Sequence, residues 1–363
     1  MSPATELSLG LDPEQIGRFA AALDDFGYDH LLRAVRGSYP LTPFPPYVEF
    51  RQRLRALNPS ERAWFDLLLL GRPLPRTAVE DALGVELTGD LEALGVLRTK
   101  GNRLATPGLG LTSFDGTYAV ASLPRRYPTC SDRKRRAYIG PESYLLAHFL
   151  PAPRSSSALD LCSGSGFLAL QLANRSDRVV AVDIDPISVA VGRFNSILNG
   201  LDSTIDTRHG DLWQPVAEET FDVIVFNAPW VVTPAGFPSA TFRDGGPDGM
   251  SLLGPIFDGL ATHLGRHGSA VCYLEAFGDE RQPHIVRRLE ELAERDRLAI
   301  DVLLLFRFPI TEFLAEAGGG EPEGPAMYRR LVKEHDARRY YKLVVRFRRG
   351  KPGVRFRDAG RFV

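Results

Sequence analysis

From Pro141 onward, short β-branched runs alternate with amphipathic helical stretches. That alternation restricts this part of the chain to a doubly wound α/β fold with a mainly parallel sheet. Strands are predicted at Ser157–Leu161, Val179–Val182, about Thr204–His209, Phe221–Phe226, Gly268–Leu274, Ala299–Arg307 and Tyr341–Arg348, seven in all. The last two lack a convincing connecting helix, so the final strand is expected to close the sheet antiparallel. Gly318, Gly319, Gly320 and Pro322 mark a flexible insertion at about 311–340, which includes a charged helical stretch from Met327 to Tyr340.

The preceding segment is of another kind. Ile16, Phe19, Ala20, Leu23, Phe26 and Leu31 recur at helical spacing, and Pro13 suits a helix start. Four prolines between Pro40 and Tyr47 require extended chain, and helical periodicity returns from Phe50 to Leu70. The stretch from Pro73 to Pro107 then reads as helix, Gly84 turn, helix, Gly95 stop and a hairpin near Gly101-Asn102. This is the layout of a winged helix, which binds nucleic acid or serves as a packing or dimerisation module; balanced charge favours packing. The expected organisation is a mainly helical, winged-helix-like domain at 1–123, a basic linker at 124–140 and the α/β domain at 141–363. The linker region carries Arg125, Arg126, Arg133, Lys134, Arg135 and Arg136, a charge run more often solvated than bound to phosphates.

At 363 residues the chain has room for two domains, and its formal charge of -1 provides no global field towards nucleic acid or anionic lipid. Cys130, Cys162 and Cys272 lie far apart without a C-x-x-C pair, so neither a disulfide framework nor a zinc site is read, and no metal is expected. The N-terminus lacks a signal-peptide pattern and no 18-residue apolar run occurs, so a cytoplasmic protein without membrane attachment is expected.

In ALDLCSGSGFLALQLA a strand ends at Asp160, a turn Ser163-Gly164-Ser165-Gly166 follows, and Phe167 opens an apolar helix. Such a turn lets a ligand approach the backbone in the crevice at the carboxyl ends of the strands. Asp183, after the second strand, is placed to accept ribose hydroxyls, with Ile184 beside it. Asp211 after the third strand suits an adenine amine, with Leu212 and Trp213 as apolar neighbours. A nicotinamide site would prefer G-x-G-x-x-G, and its third glycine position is Ala169 here, a tolerated substitution. The fourth strand separates the two readings.

That strand, FDVIVFNAPW, runs into Asn227, Ala228, Pro229 and Trp230. An Asn side-chain oxygen and the Ala228 carbonyl can accept both hydrogens of a planar amine and leave its lone pair free; Trp230 offers a stacking face. Here the chain resembles the N5-glutamine and N6-adenine methyltransferases, whose signature is Asn-Pro-Pro-aromatic, with Ala228 replacing the first proline. The loop TFRDGGPDGMSLLGPIFDGL resembles that of the release-factor glutamine methyltransferases, and the similarity spans roughly Pro141 to Glu290.

The resemblance implies a Rossmann-like class I methyltransferase sheet, S-adenosyl-L-methionine as cofactor and N-methyl transfer. By it, Asp160, Cys162, Ser163, Gly164, Gly166, Asp183, Ile184, Asp211, Leu212 and Asn227 contact the cofactor, with Cys162 replacing the usual first glycine. Asn227, Ala228, Pro229 and Trp230 form the catalytic acceptor cradle. Tyr138, Glu142, Asp244 and Glu275 are further candidates for acceptor binding, the carboxylates as partners for a cation. The additional N-terminal domain and the insertion favour a covered pocket for a small molecule, such as an amino acid in specialised biosynthesis; protein glutamine or nucleic-acid adenine is the alternative acceptor. A homodimer through the N-terminal helices is a further expectation.

Overall fold

The computed structural model describes residues 9–36, 52–122, 136–318 and 321–359. The proline-rich segment and all of the basic run except Arg136 fall outside the described residues.

Helices α1 (Pro13–Phe26) and α2 (Tyr28–Arg36) bury Ile16, Phe19 and Leu23, and Tyr28, Leu32 and Val35, the stripes expected from their spacing. Asp12 caps α1 by accepting from the backbone N–H of Glu14 and Gln15, and Gly27 ends it at φ +70°. After α3 (Pro59–Trp64) and a π-helical turn at Phe65–Leu69 come β1 (Leu74–Pro75), α4 (Arg76–Leu83), α5 (Val85–Ala93), β2 (Arg98–Lys100) and β3 (Arg103–Ala105). The three strands form a small sheet in the order β1-β3-β2. Helix α5 carries Glu86, Asp90 and Glu92 and no basic residue, and Asp90 is held by Arg18 of α1 at 2.7 Å, so this helix offers phosphates no grip. A hairpin of β4 (Gly110–Phe114) and β5 (Thr117–Ala121) completes the segment.

Helix α6 (Pro141–Ala147) then leads into the large sheet. Its elements are β6 (Ser155–Leu161), α7 (Phe167–Ala173), β7 (Ser176–Asp183), α8 (Pro186–Leu198), β8 (Ile205–His209), β9 (Phe221–Phe226), α9 (Leu253–His263), β10 (Leu264–Gly278), α10 (Ile285–Asp296), β11 (Leu298–Pro309), α11 (Ile310–Glu316), α12 (Gly324–Glu334), β12 (Arg339–Arg349) and β13 (Gly353–Asp358). The strand order is β8-β7-β6-β9-β10-β12-β11-β13, and β12 alone runs against its neighbours, as expected for the closing strand.

Two expectations are corrected. The sheet has eight strands rather than seven: β13 adds parallel to β11 at the edge, where the polar run GVRFRD is mostly exposed and leaves no apolar signal. Between β11 and β12 the helical stretch expected from Met327 to Tyr340 is α12, which starts at Gly324 and ends at Glu334, and α11 precedes it where no helix was read.

The sheet is covered on both faces, which explains its near-continuous apolar strands. In β9, Val223 and Val225 join a core that also contains α7, α8 and the N-terminal helices, while Ile224 and Phe226 join a core with α9 and α10. The N-terminal hairpin is fastened to α8 by two asparagines. Asn195 accepts from the N–H of Val120 at 2.8 Å and donates to the carbonyls of Val120 and Ser165, each at 2.9 Å. One turn later, Asn199 makes the equivalent pair with Tyr118, accepting from its N–H and donating to its carbonyl, both at 2.8 Å.

Candidate functional site

The strand order reverses between β6 and β9, whose last residues, Leu161 and Phe226, are register partners. A ligand crevice is expected at the carboxyl ends of strands at such a switch point. Cys162 and Asn227 therefore emerge side by side, Asp183 closes the neighbouring β7, and Gly210 and Asp211 follow β8. A cavity of about 460 Å³ opens there, and Cys162, Gly164, Asp183, Ile184, Asp211, Leu212, Asn227, Pro229 and Trp230 all line it. Tyr138, Glu142 and Glu275 line it as well.

The donor end is built around the turn after β6. Gly164 and Gly166 adopt φ +55° and +73°, and a Cβ on Gly166 would press at 3.3 Å on the Cα of Gly192 in α8, so the turn lies close against that helix. Cys162 itself sits at φ +61°, the left-handed conformation that the resemblance associates with glycine. Asp183 fixes the turn by accepting from the N–H of Gly164 at 2.7 Å, and its other oxygen accepts from the N–H of Asp185 at 2.9 Å. Each carboxylate oxygen retains capacity for a hydroxyl donor.

Not every expected residue reaches the cavity wall. Ser163, Gly166, Ala228 and Asp244 shape the loops rather than line the space, Asp244 by accepting from the N–H of Gly246 at 3.0 Å. Asp160 is buried behind the turn, where its Oδ2 accepts from the N–H of Ala169 at 2.9 Å and its Oδ1 has no hydrogen-bond partner. Burial pushes this carboxyl up to about 8, and nearby Asp183 adds to the effect. Burial also raises Asp183 and the Cys162 thiol. Trp213 turns away from the cavity: its indole N–H donates to the carbonyl of Pro255 at 3.2 Å, and its ring stacks on His263. Gly259 leaves room for it in α9, where a Cβ would collide with the ring.

These features fit a cationic adenosyl donor. Asp183 and Asp211 line the cavity with Cys162, so two carboxylates flank the space a cationic donor would take, while Asp160, pushed up to about 8, keeps its proton near neutral pH. Ile184, more than half exposed, and Leu212 provide apolar surface beside Asp183.

At the acceptor end, Asn227 Nδ2 donates to Ser143 Oγ at 3.2 Å, and its Oδ1 accepts from the Trp230 indole N–H at 3.3 Å. A carbonyl oxygen has two lone pairs, so one remains for an acceptor N–H. Trp230 packs edge-on to Tyr273. Beyond it lies a polar group whose members Lys342 and Arg243 sequence reading missed. Lys342 stands directly opposite Glu275 across β10 and β12 and bonds it at 3.1 Å, and the Tyr273 hydroxyl donates to the same carboxylate at 2.5 Å. Only the register between distant strands brings these residues together. Phe313 of α11 and Tyr328 of α12 roof this end, joined by Phe237. Tyr138 and Phe242 line the cavity with their rings tilted by 30° at 4.7 Å, and Arg136 lies 4.0 Å from Asp185.

Residues 136–239 match the methyltransferase small domain family. Over 125 residues the chain is 33% identical to the ribosomal protein uL3 glutamine methyltransferase of Bradyrhizobium diazoefficiens, covering 31% of this chain and 39% of that protein. It is 33% identical over 108 residues to the tRNA1(Val) (adenine(37)-N6)-methyltransferase of Klebsiella pneumoniae, 28% of this chain and 43% of that one. The release factor glutamine methyltransferase of Mycolicibacterium smegmatis is 33% identical over 114 residues, 29% and 40% of the two chains. The chain thus spans less than half the length of these relatives. The methyltransferase small domain segment contains the turn, Asp183, Asp211 and the Asn227–Trp230 cradle, but neither the N-terminal elements nor α11 and α12.

Proposed function

We propose that this protein is an S-adenosyl-L-methionine-dependent N-methyltransferase whose acceptor is the planar nitrogen of a macromolecule, a glutamine side-chain amide or an adenine amine. The observation that carries the reading is Asn227 emerging from β9 directly beside the Cys162–Gly166 turn at the switch point of the sheet. When bound, the cofactor supplies an electrophilic methyl group on a cationic sulfur. Asp183 would hold its ribose and Asp211 its adenine, Ile184 and Leu212 would cover the ring, and the turn backbone would receive the remainder. Asn227 Oδ1, with one lone pair left beside the Trp230 indole N–H, would accept an N–H of the acceptor and hold its nitrogen next to the turn, so that little rotational freedom would be lost in the transition state.

The acceptors named for the relatives, protein glutamine and tRNA adenine, favour the macromolecular alternative over a small metabolite. The roof formed by Phe313, Tyr328 and Phe237 is compatible with a side chain or a flipped base entering endwise.

Two variants test the assignment. Asn227→Ala is expected to lower methyl transfer at least 100-fold while S-adenosylmethionine affinity, measured by calorimetry, stays within threefold, about 0.7 kcal/mol. Asp183→Ala is expected to weaken cofactor binding itself. A wild-type protein without affinity for S-adenosylmethionine refutes the proposal, and mass-shift screening of glutamine peptides, tRNA and free amino acids with labelled cofactor distinguishes the acceptor classes.

A further inference from the structure

Glu142 occupies a place that the cradle does not explain. It is the second residue of α6 and lines the acceptor end of the cavity, and the next residue, Ser143, accepts the hydrogen bond from Asn227 Nδ2. Its carboxylate folds back over Gly140, where a Cβ would collide with Oε1, so the residue before the helix keeps the seat free. The two acidic side chains at this end differ in their surroundings. Glu275 is bonded by Lys342 and by the Tyr273 hydroxyl, and the buried Tyr340 lies beside it. Among the described residues, Glu142 makes no ion pair; it faces Glu275 and Tyr273 from β10, Lys342 from β12 and Arg243 from the loop after β9.

The signs of these groups restrict the acceptor. Glu142 and Glu275 are set against Lys342 and Arg243, and the third carboxylate of this wall, Glu316, is exposed to solvent and screened, so an entering guanidinium or ammonium meets two resident cations and gains little. A neutral nitrogen becomes positive as it takes the methyl group, and at that moment a carboxylate free of other partners is what stabilises it.

We propose that Glu142 is the proton acceptor for a neutral planar nitrogen, an amide or an exocyclic amine, held by Asn227. This rests on the methyl-transfer reading above. A nitrogen–methyl bond forms as the sulfur–methyl bond breaks, the neutral thioether departs, and one N–H proton passes to the Glu142 carboxylate. Burial pushes Glu142 up to about 7, partly offset by its own backbone N–H, so it is a usable base near neutrality.

Wild type, Glu142→Gln and Gly140→Ala are compared for S-adenosylmethionine affinity by calorimetry and for methyl transfer to N-acetylglutamine amide, adenosine and L-arginine. Affinity is expected within twofold of wild type in both variants. Transfer to a neutral probe is expected to fall about 100-fold in Glu142→Gln, and the wild-type rise in kcat/KM between pH 6 and 8 to disappear. Gly140→Ala, which displaces the carboxylate without removing it, is expected to lower transfer about tenfold. Wild-type turnover and an unchanged pH profile in Glu142→Gln overturn the assignment, and faster methylation of L-arginine than of the neutral probes overturns the acceptor class. If wild type methylates none of the three, the methyl-transfer reading fails for these acceptors. The infrared carboxyl difference between wild type and Glu142→Gln then decides alone: a midpoint between pH 6 and 8 supports the base, and one below 5 overturns it.

Discussion

Replacing Asn195 by Ala tests how the N-terminal hairpin and the cofactor turn are joined. The side chain is fully buried and serves three backbone groups, the N–H and carbonyl of Val120 and the carbonyl of Ser165. An orphaned buried group costs about 1–3 kcal/mol, so the loss is expected to be at least about 3 kcal/mol, a large fraction of a typical domain's stability. Asn199→Ala removes a similar clamp on Tyr118 but makes no bond to the turn. Urea unfolding should therefore show both variants destabilised, and calorimetry should show S-adenosylmethionine affinity reduced several-fold only in Asn195→Ala, because only there does the Ser165 carbonyl lose its anchor. The reasoning is refuted if Asn195→Ala costs less than 1 kcal/mol, or if the two variants lose cofactor affinity equally.

Cys162→Gly relieves a left-handed residue worth about 1–2 kcal/mol and incurs about 0.5–1 kcal/mol of glycine chain entropy. A gain of about 0.5 kcal/mol is expected in the denaturant midpoint and a loss in Cys162→Val; destabilisation by glycine contradicts the strain. Asp160 shifts from 3.8 to about 8 on folding, so its contribution to stability is present below pH 4 and lost as pH rises through 8. Relative to Asp160→Asn, wild type should lose stability over that range by up to about 1.4 kcal/mol per pH unit, read from urea unfolding at pH 5 to 8; a pH-independent difference rules this out.

The seven strands were legible because parallel strands buried on both faces are written as continuous apolar runs, as in FDVIVF. The edge strand β13 has no such face. That Cys162, Asp183 and Asp211 line one cavity was legible because they follow strand ends directly and need only the fold class to be brought together. Trp213 was misjudged because its position depends on the room left by Gly259, 46 residues away by their numbers. The partner of Glu275 was invisible for a related reason: Lys342 meets it through the pairing of β10 and β12, and register between distant strands is not written in either strand alone.

The roof over the cavity leaves the sheet and rejoins it at one rung, since Pro309 at the end of β11 and Arg339 at the start of β12 are register partners. The described residues between these two positions are thus an excursion from the end of an antiparallel pair, seated on β10 through Phe277 and on β12 through Tyr340. In such a scaffold one end of the cavity is walled by an excursion from a strand pair, and the other by turns that follow directly from the ends of β6, β7 and β8.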